Sequence, residues 1–249
     1  MYYYIFDSFV SEKKYQTLTH QIENRLMQLG ISGHMEKLTM LKSLEEMVKA
    51  AIKNDAKTIV AVGNDDTVSK IISFLPKHAV TFGIIPVGDM NGIADKLGIP
   101  HGVAACDTIS ARITTKIDLG KVNNAYFISS IQLPESPELK LNFGTYNIST
   151  LSPLSHVRIY NINGSVTKSS PTDGTLEAVV SEEPERQGLF GLKRTYSRSS
   201  VFPVKKVTIT TDHTSLPVIA DGQLRVKTPV TVEVAPQKLK IIVGKNRMF

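Results

Sequence analysis

The sequence has 249 residues, of which 41% are hydrophobic and 21% charged, with a formal net charge of +6. That composition supports one large buried core or two modest ones and excludes a disordered chain, while the mild positive balance suits anionic ligands without requiring nucleic acid. The single cysteine, Cys106, excludes an internal disulfide and a cysteine-built zinc site, and no apolar run reaches the roughly 18 residues that span a bilayer.

In chain order, "MYYYIFDSFV" lacks the basic start and cleavage site of a signal peptide, and residues 2–6 read as a first strand. Residues 12–29 carry Tyr15, Leu18, Ile22, Leu26 and Leu29 at helical spacing, with Gly30 as the stop. "SLEEMVKAAIKND" opens on Ser43 with Glu46 three residues on, a capping box, and Leu44, Met47, Val48, Ala51 and Ile52 form its apolar face. "TIVAV" is a short apolar run rich in β-branched residues, as expected of a buried parallel strand. "VSKIISFL" predicts a short helix closed by Pro76, "VTFGIIPVG" a strand and turn, and "NGIADKLGI" a helix to about Leu97 with Gly98 as its stop. Residues 103–112 predict a further helix, with Cys106 as a small core residue. This β-α-β-α order implies a parallel sheet covered by helices.

Near residue 116 the pattern changes. "KIDLGKV", "AYFISSIQL", "ELKLNF", "HVRIYNI", "VKKVTIT", "LPVIAD", "TVEVA" and "KLKIIV" predict short strands separated by turn-forming clusters. Residues 181–203, polar, glycine-bearing and basic at their centre, read as a mobile loop. The fold expected is α/β: a parallel-sheet, nucleotide-binding-like domain over 1–115, then an antiparallel β-sandwich substrate or lid domain over 116–249. The active cleft is expected between them.

Two turns leave the carboxyl ends of parallel strands, where ligands sit in open α/β sheets. They are "GNDDT", Gly63 to Thr67, and "IPVGDMNG", Ile85 to Gly92. Each enters a helix, whose first N–H groups are expected to be unpaired and to favour anions. Either turn alone also reads as an ordinary helix start, with Asp65 and Asp66 offsetting the dipole.

Taken together, "VAVGNDDTVSKII...FGIIPVGDMNGIADKLGIP" resembles the catalytic domain shared by diacylglycerol kinases, sphingosine kinases and bacterial lipid kinases. That family carries G-G-D-G-T-x-N-E-V after one strand and G-I-I-P-x-G-T-x-N-D-x-A-R-x-L-G-I-P after the next. "IDLGKVNNAYFISSIQL", "SPTDGTLEAVV" and "ADGQLRVKTPVTVEVAPQKLKIIV" continue the likeness in the family's order. The resemblance implies a kinase that moves the γ-phosphate of ATP to a lipid or related alcohol hydroxyl, with magnesium as cofactor. It assigns nucleotide binding to Gly63, Asn64, Asp66, Thr67, Gly88 and Asn91. It gives Asp65 a catalytic, metal-holding role and makes Asp221 the general base.

This sequence departs from the family at Asn64 and Asp66, which replace glycines, at Asp89, which replaces threonine, and at Gln223, which replaces glutamate. "FDSFVSEKK" stands where the family has a nucleotide-binding Asn-Pro-x-x-Gly segment, with Asp7 and Ser8 at the strand end. Two readings stand. One is an active kinase whose acidic loop takes an extra divalent cation. The other is a kinase fold that binds or regulates without catalysis. The expected partners are a nucleotide, a lipid substrate, an anionic membrane surface touched through residues 188–198, and a second copy in a homodimer. No nucleic acid is expected, and the expected location is cytoplasmic, peripheral at the membrane.

Overall fold

The computed structural model describes residues 1–39, 42–134, 139–150, 155–162, 169–182, 198–212 and 215–249. The chain forms two compact units, residues 1–118 with 237–249, and residues 119–236. This differs from a single division at 115/116, because the segment Gln237–Phe249 returns to the first unit.

The first unit holds β1 (Tyr2–Phe6), α1 (Gln16–Gln28), β2 (His34–Lys37), α2 (Leu44–Lys53), β3 (Thr58–Gly63), α3 (Asp65–Ile72), β4 (Thr81–Pro86), α4 (Gly92–Lys96) and α5 (Ala104–Ala111). β1 pairs in parallel with β2 on one side and β3 on the other, and β3 pairs in parallel with β4. All five residues of β1 are buried, and Tyr3, Tyr4, Phe6, Ile59 and Phe82 are among the largest fully buried side chains. Continuous burial of this kind is what a parallel strand covered on both faces requires. Because the chain goes from β1 to β2 on one side and then to β3 on the other, the strand order reverses between β1 and β3. The carboxyl ends of those two strands therefore flank a crevice suited to a ligand.

The helices follow their sequence signals, with local shifts. The capping box at Ser43 and Glu46 forms in full, and Leu44, Met47, Val48 and Ala51 are buried. α1 begins later than residue 12, because Ser8–Ser11 and Lys13–Tyr15 form two 3-10 turns ahead of it. Pro76 lies inside a 3-10 turn at Leu75–Lys77 rather than at the end of α3. Cys106 is fully buried, and burial pushes its thiol up to about 11.

β5 (Thr114–Val122) carries the chain into the second unit. There follow β6 (Ala125–Phe127), β7 (Ser130–Leu133), β8 (Leu139–Asn142), β9 (Asn147–Ser149), β10 (Ser155–Tyr160), β11 (Leu176–Glu182), β12 (Arg198–Val204), β13 (Lys206–Thr211), β14 (Pro217–Ala220), β15 (Leu224–Lys227) and β16 (Val230–Ile242). One sheet has the order β12-β11-β10-β7-β14-β15 and is antiparallel throughout. In the other, β13 pairs antiparallel with β8 and with the first half of β16, and β8 with β9. Residues of both, among them Ile131, Leu133, Leu141, Val157, Ile159, Val207, Ile209 and Val232, share one core. This is the sandwich expected of alternating apolar strands.

Three strand expectations need correction. "AYFISSIQL" is two strands, β6 and β7, separated at Ile128–Ser129. "TVEVA" and "KLKIIV" are the two ends of β16, whose second half pairs in parallel with β4 in the first unit, Lys240 beside Thr81. The supposed loop over 181–203 has strand at both ends, Ser181–Glu182 in β11 and Arg198–Pro203 in β12, and the two strands pair. β12 is an edge strand, the place in a sheet where Pro203 is tolerated. Residues 188–197, which carry the proposed membrane contact, lie outside the described residues.

Candidate phosphate-binding turns

β3 ends at Gly63, where a Cβ would lie 2.5 Å from the Thr67 hydroxyl and 3.2 Å from Asp7 Cβ. Only glycine lets the first turn of α3 close so tightly on the strand end. Thr67 is fully buried, and its hydroxyl donates to Asp7 Oδ2 at 2.6 Å. Asp7, 9% exposed at the end of β1, accepts through Oδ1 from Phe9 N at 3.3 Å and from the Ser8 hydroxyl at 3.1 Å. The crevice between β1 and β3 is thus tied by a hydrogen bond from Thr67 to Asp7.

Asn64 is the N-cap of α3, with extended backbone at φ −105°. Its Oδ1 accepts from Asp66 N at 3.1 Å and Thr67 N at 3.3 Å. The asparagine that replaces a family glycine therefore sits in ordinary backbone space and serves as a cap. Asp66 lies within the helix, so neither position requires positive φ.

The second turn lies directly against the first. Asp65 N donates to Met90 O at 2.9 Å, and Asp65 Oδ1 accepts from Ile93 N in the first turn of α4 at 3.0 Å. Asn91, 5% exposed, closes its own turn by donating from Nδ2 to Gly88 O at 2.6 Å. Gly88 has φ +78°, and a Cβ there would stand 3.0 Å from Phe9 Cε2 and 3.2 Å from the Tyr15 hydroxyl oxygen. Phe9 and Tyr15 meet edge to face at 5.5 Å, so the segment after β1 lays an aromatic pair against the second turn.

Gly63, Asn64, Asp65, Asp66, Thr67, Gly88 and Asn91 are all brought together in one unit, at the carboxyl ends of adjacent strands. The expectation that the first N–H groups of both helices are unpaired is corrected. Asn64 and Asp65 side chains accept from those of Asp66, Thr67 and Ile93.

Residues 2–122 match the family described as "Diacylglycerol kinase catalytic domain". Over this segment, just under half of its length, the chain is similar to the diacylglycerol kinase catalytic-domain family. Among curated relatives, a diacylglycerol kinase of Bacillus subtilis (strain 168) is 31% identical over 113 residues, covering 44% of this chain and 37% of that protein. A diacylglycerol kinase of Staphylococcus haemolyticus (strain JCSC1435) is 37% identical over 82 residues, covering 32% of this chain and 25% of the relative. The matched stretches thus span well under half of those relatives' length.

The fold match is wider. A crystal structure of a putative diacylglycerol kinase from Bacillus anthracis str. Sterne superposes with a TM-score of 0.80 at 17% identity, covering 98% of this chain and 97% of that one. An NAD kinase from Archaeoglobus fulgidus in complex with ATP superposes with a TM-score of 0.55 at 13% identity, covering 100% and 96%.

Asp221 lies outside the matched segment and belongs to the second unit, whereas the two turns belong to the first. Asp221 has φ 48° and precedes Gly222 at φ 76°. Its Oδ1 accepts from Ser129 N at 2.8 Å and Ser130 N at 3.0 Å, and its Oδ2 accepts from Ile128 N at 2.8 Å. The carboxylate thus anchors the break between β6 and β7. Among the described residues, no three His, Cys, Asp or Glu side chains cluster as a metal site, and no helix is long and apolar enough to cross a membrane.

Sequence reasoning places Asp7 and Ser8 only as occupants of the missing segment's position and misses Asp7 as the partner of Thr67. It also misses the aromatic pair. The signal for the first is the position of Asp7 at a strand end beside a switch point. Nothing local marks Phe9 and Tyr15.

Proposed function

We propose that this protein is an ATP-dependent phosphotransferase of the diacylglycerol kinase type, acting on a hydroxyl of a lipid or related alcohol. The observation that carries the reading is the contact between the two βα turns through Asp65, inside the segment that matches the family. Two adjacent helix starts offer backbone amides to which a polyphosphate can bind. An ATP complex of the archaeal NAD kinase, which shares the fold, is consistent with nucleotide binding.

In this reading the polyphosphate lies against the starts of α3 and α4, displacing the Asn64 carboxamide from the amides that it caps. The family resemblance makes Asp221 the base for the acceptor hydroxyl, whose oxygen forms a bond to the γ-phosphorus. The bond from that phosphorus to the bridging oxygen breaks, and ADP leaves. Such transfer depends mainly on positioning and neutralised charge. Asp65 would hold magnesium, with Asp66 beside it, and hard carboxylate oxygens of this kind suit an ion that keeps most of its ligands as waters and phosphates. Bound magnesium would neutralise charge on the phosphates.

A second reading keeps the architecture and binds without catalysis. Radiolabelled γ-phosphate transfer from magnesium-ATP to diacylglycerol, sphingosine and short-chain alcohols separates the two. The first reading expects labelled product from wild type and none from Asp221→Asn. Because the introduced carboxamide would set an NH2 against a backbone N–H that Asp221 now satisfies, the variant should also lose about 1–3 kcal/mol of stability, so transfer is measured well below its melting temperature. Absence of product with every acceptor, from a folded wild-type protein, refutes catalysis.

A further inference from the structure

A second candidate anion site lies at the opposite, amino-terminal edge of the parallel sheet. Tyr2, Thr58 and Thr81 open β1, β3 and β4, and register pairs Tyr2 with Thr58, Thr58 with Thr81, and Thr81 with Lys240. Paired positions of neighbouring strands share a face. That row puts two threonines and a lysine side by side at the rim of a cavity of about 390 Å³. Lys57, Arg112 and Thr114 complete its polar lining, and among the described residues no acidic side chain lines it.

The cations here are not structural ion-pair partners. Among the described residues, none of Lys57, Arg112 and Lys240 forms a salt bridge. Arg112 is nonetheless held in place. It adopts a left-handed φ of 53° just after α5, donates from Nε to the Tyr2 hydroxyl at 2.6 Å, and stacks over the Tyr2 ring at 5.2 Å. An arginine oriented by a buried tyrosine, rather than by a carboxylate, keeps its charge for a ligand. Three like charges around one cavity repel one another unless an anion joins them. Three threonines, at 58, 81 and 114, add hydroxyl donors that match a tetrahedral oxyanion.

We propose that this pocket binds a phosphate group, either inorganic or as a phosphomonoester, at a site separate from the two βα turns. The volume exceeds the needs of phosphate alone and accommodates part of the esterified alcohol. Lys57 and Lys240 supply charge from two strands, Arg112 supplies an oriented fork, and the threonines fix the oxygens. A bound phosphate would strap β3, β16 and the link from α5 to β5 together.

The test is a phosphorus NMR line-broadening titration of inorganic phosphate against wild type, Lys57→Ala, Lys240→Ala and Arg112→Lys. Lys57 and Lys240 are exposed, so their variants keep the fold, and Arg112→Lys keeps the charge while losing the fork. Saturable broadening by wild type, weakened about tenfold in each alanine variant, supports the site. Sedimentation with phosphatidic acid vesicles, set against phosphatidylcholine vesicles, distinguishes the source of the phosphate. Sedimentation that Lys240→Ala abolishes assigns a lipid headgroup, and variant-sensitive phosphate binding without sedimentation assigns a soluble ligand. If wild type shows no saturable broadening, or if all three variants bind phosphate as wild type does, the proposal is overturned. Neither result would touch the nucleotide reading, which rests on the turns.

Discussion

Replacing Asn64 with glycine probes how the first turn meets an anion. In wild type, Asn64 Oδ1 accepts from Asp66 N at 3.1 Å and Thr67 N at 3.3 Å. Both distances are at the long end for such bonds, and asparagine-to-glycine changes at an N-cap cost only a few tenths of a kcal/mol. The substitution removes the side chain that competes with phosphate for two amides. A hydrogen bond from an amide to a charged oxygen contributes about 1.5–3 kcal/mol. After allowing for imperfect geometry at two amides, Asn64→Gly should tighten magnesium-ATP binding by about tenfold, or ~1.4 kcal/mol. Isothermal titration of both proteins measures this, with urea denaturation to confirm that stability changes by less than about 1 kcal/mol. If a stable Asn64→Gly protein binds ATP no tighter than wild type, the phosphates do not use the amides of α3. If it binds more weakly, Asn64 is itself a ligand contact. Either result refutes the displacement step.

Thr67→Val removes the buried donor to Asp7 and should cost about 1.5–3 kcal/mol, lowering the melting temperature by roughly 3–12 °C. A shift under one degree would show that the Thr67–Asp7 bond contributes little. Gly88→Ala puts a Cβ at φ +78° and 3.0 Å from Phe9, so it should destabilise by about 1–2 kcal/mol in urea denaturation. Equal stability would mean that the turn relaxes away from the aromatic pair. For Glu36, burial raises the carboxyl, but hydrogen bonds from Lys42 and Tyr3 outweigh it and hold the group below its ordinary value. A depressed folded-state value gives stability that is present above the unfolded pKa, about 4.3, and is lost as pH falls through and below it. Glu36→Gln should therefore flatten the acid limb of stability against pH, and an unchanged acid limb in denaturation at several pH values would contradict this.

Much of the architecture can be read from local chemistry. The capping box at Ser43, the β-branched run at Thr58–Val62 and the glycine stops at Gly30 and Gly98 all carry their signals within a few residues. The placement of the two turns side by side follows from strand order and from the family resemblance. What escapes the sequence depends on distant or ambiguous signals. Asn64 stands out as a glycine replacement in a phosphate loop, yet an asparagine ahead of two acidic residues and an apolar run is also an N-cap signature. Thr67 and Asp7 are separated by 60 positions, and only the fold brings them together. β9 and β15 are too short for an alternation to stand out, and β12 carries a proline that counts against a strand except at an edge. The return of Gln237–Phe249 to the first unit is hidden because an apolar strand does not announce its partner. The backbone donors to Asp221 come from residues whose break between β6 and β7 looks, in sequence, like one continuous strand.

Everything proposed for catalysis requires a polyphosphate to dock at the paired helix starts after β3 and β4. Amide NMR of the labelled protein, titrated with magnesium-ATP, tests it most directly. Docking there gives saturable shifts centred on the N–H groups of Asp66, Thr67 and Ile93, as the Asn64 and Asp65 side chains give way. Saturation with those amides unmoved, or no binding at millimolar nucleotide, would contradict it.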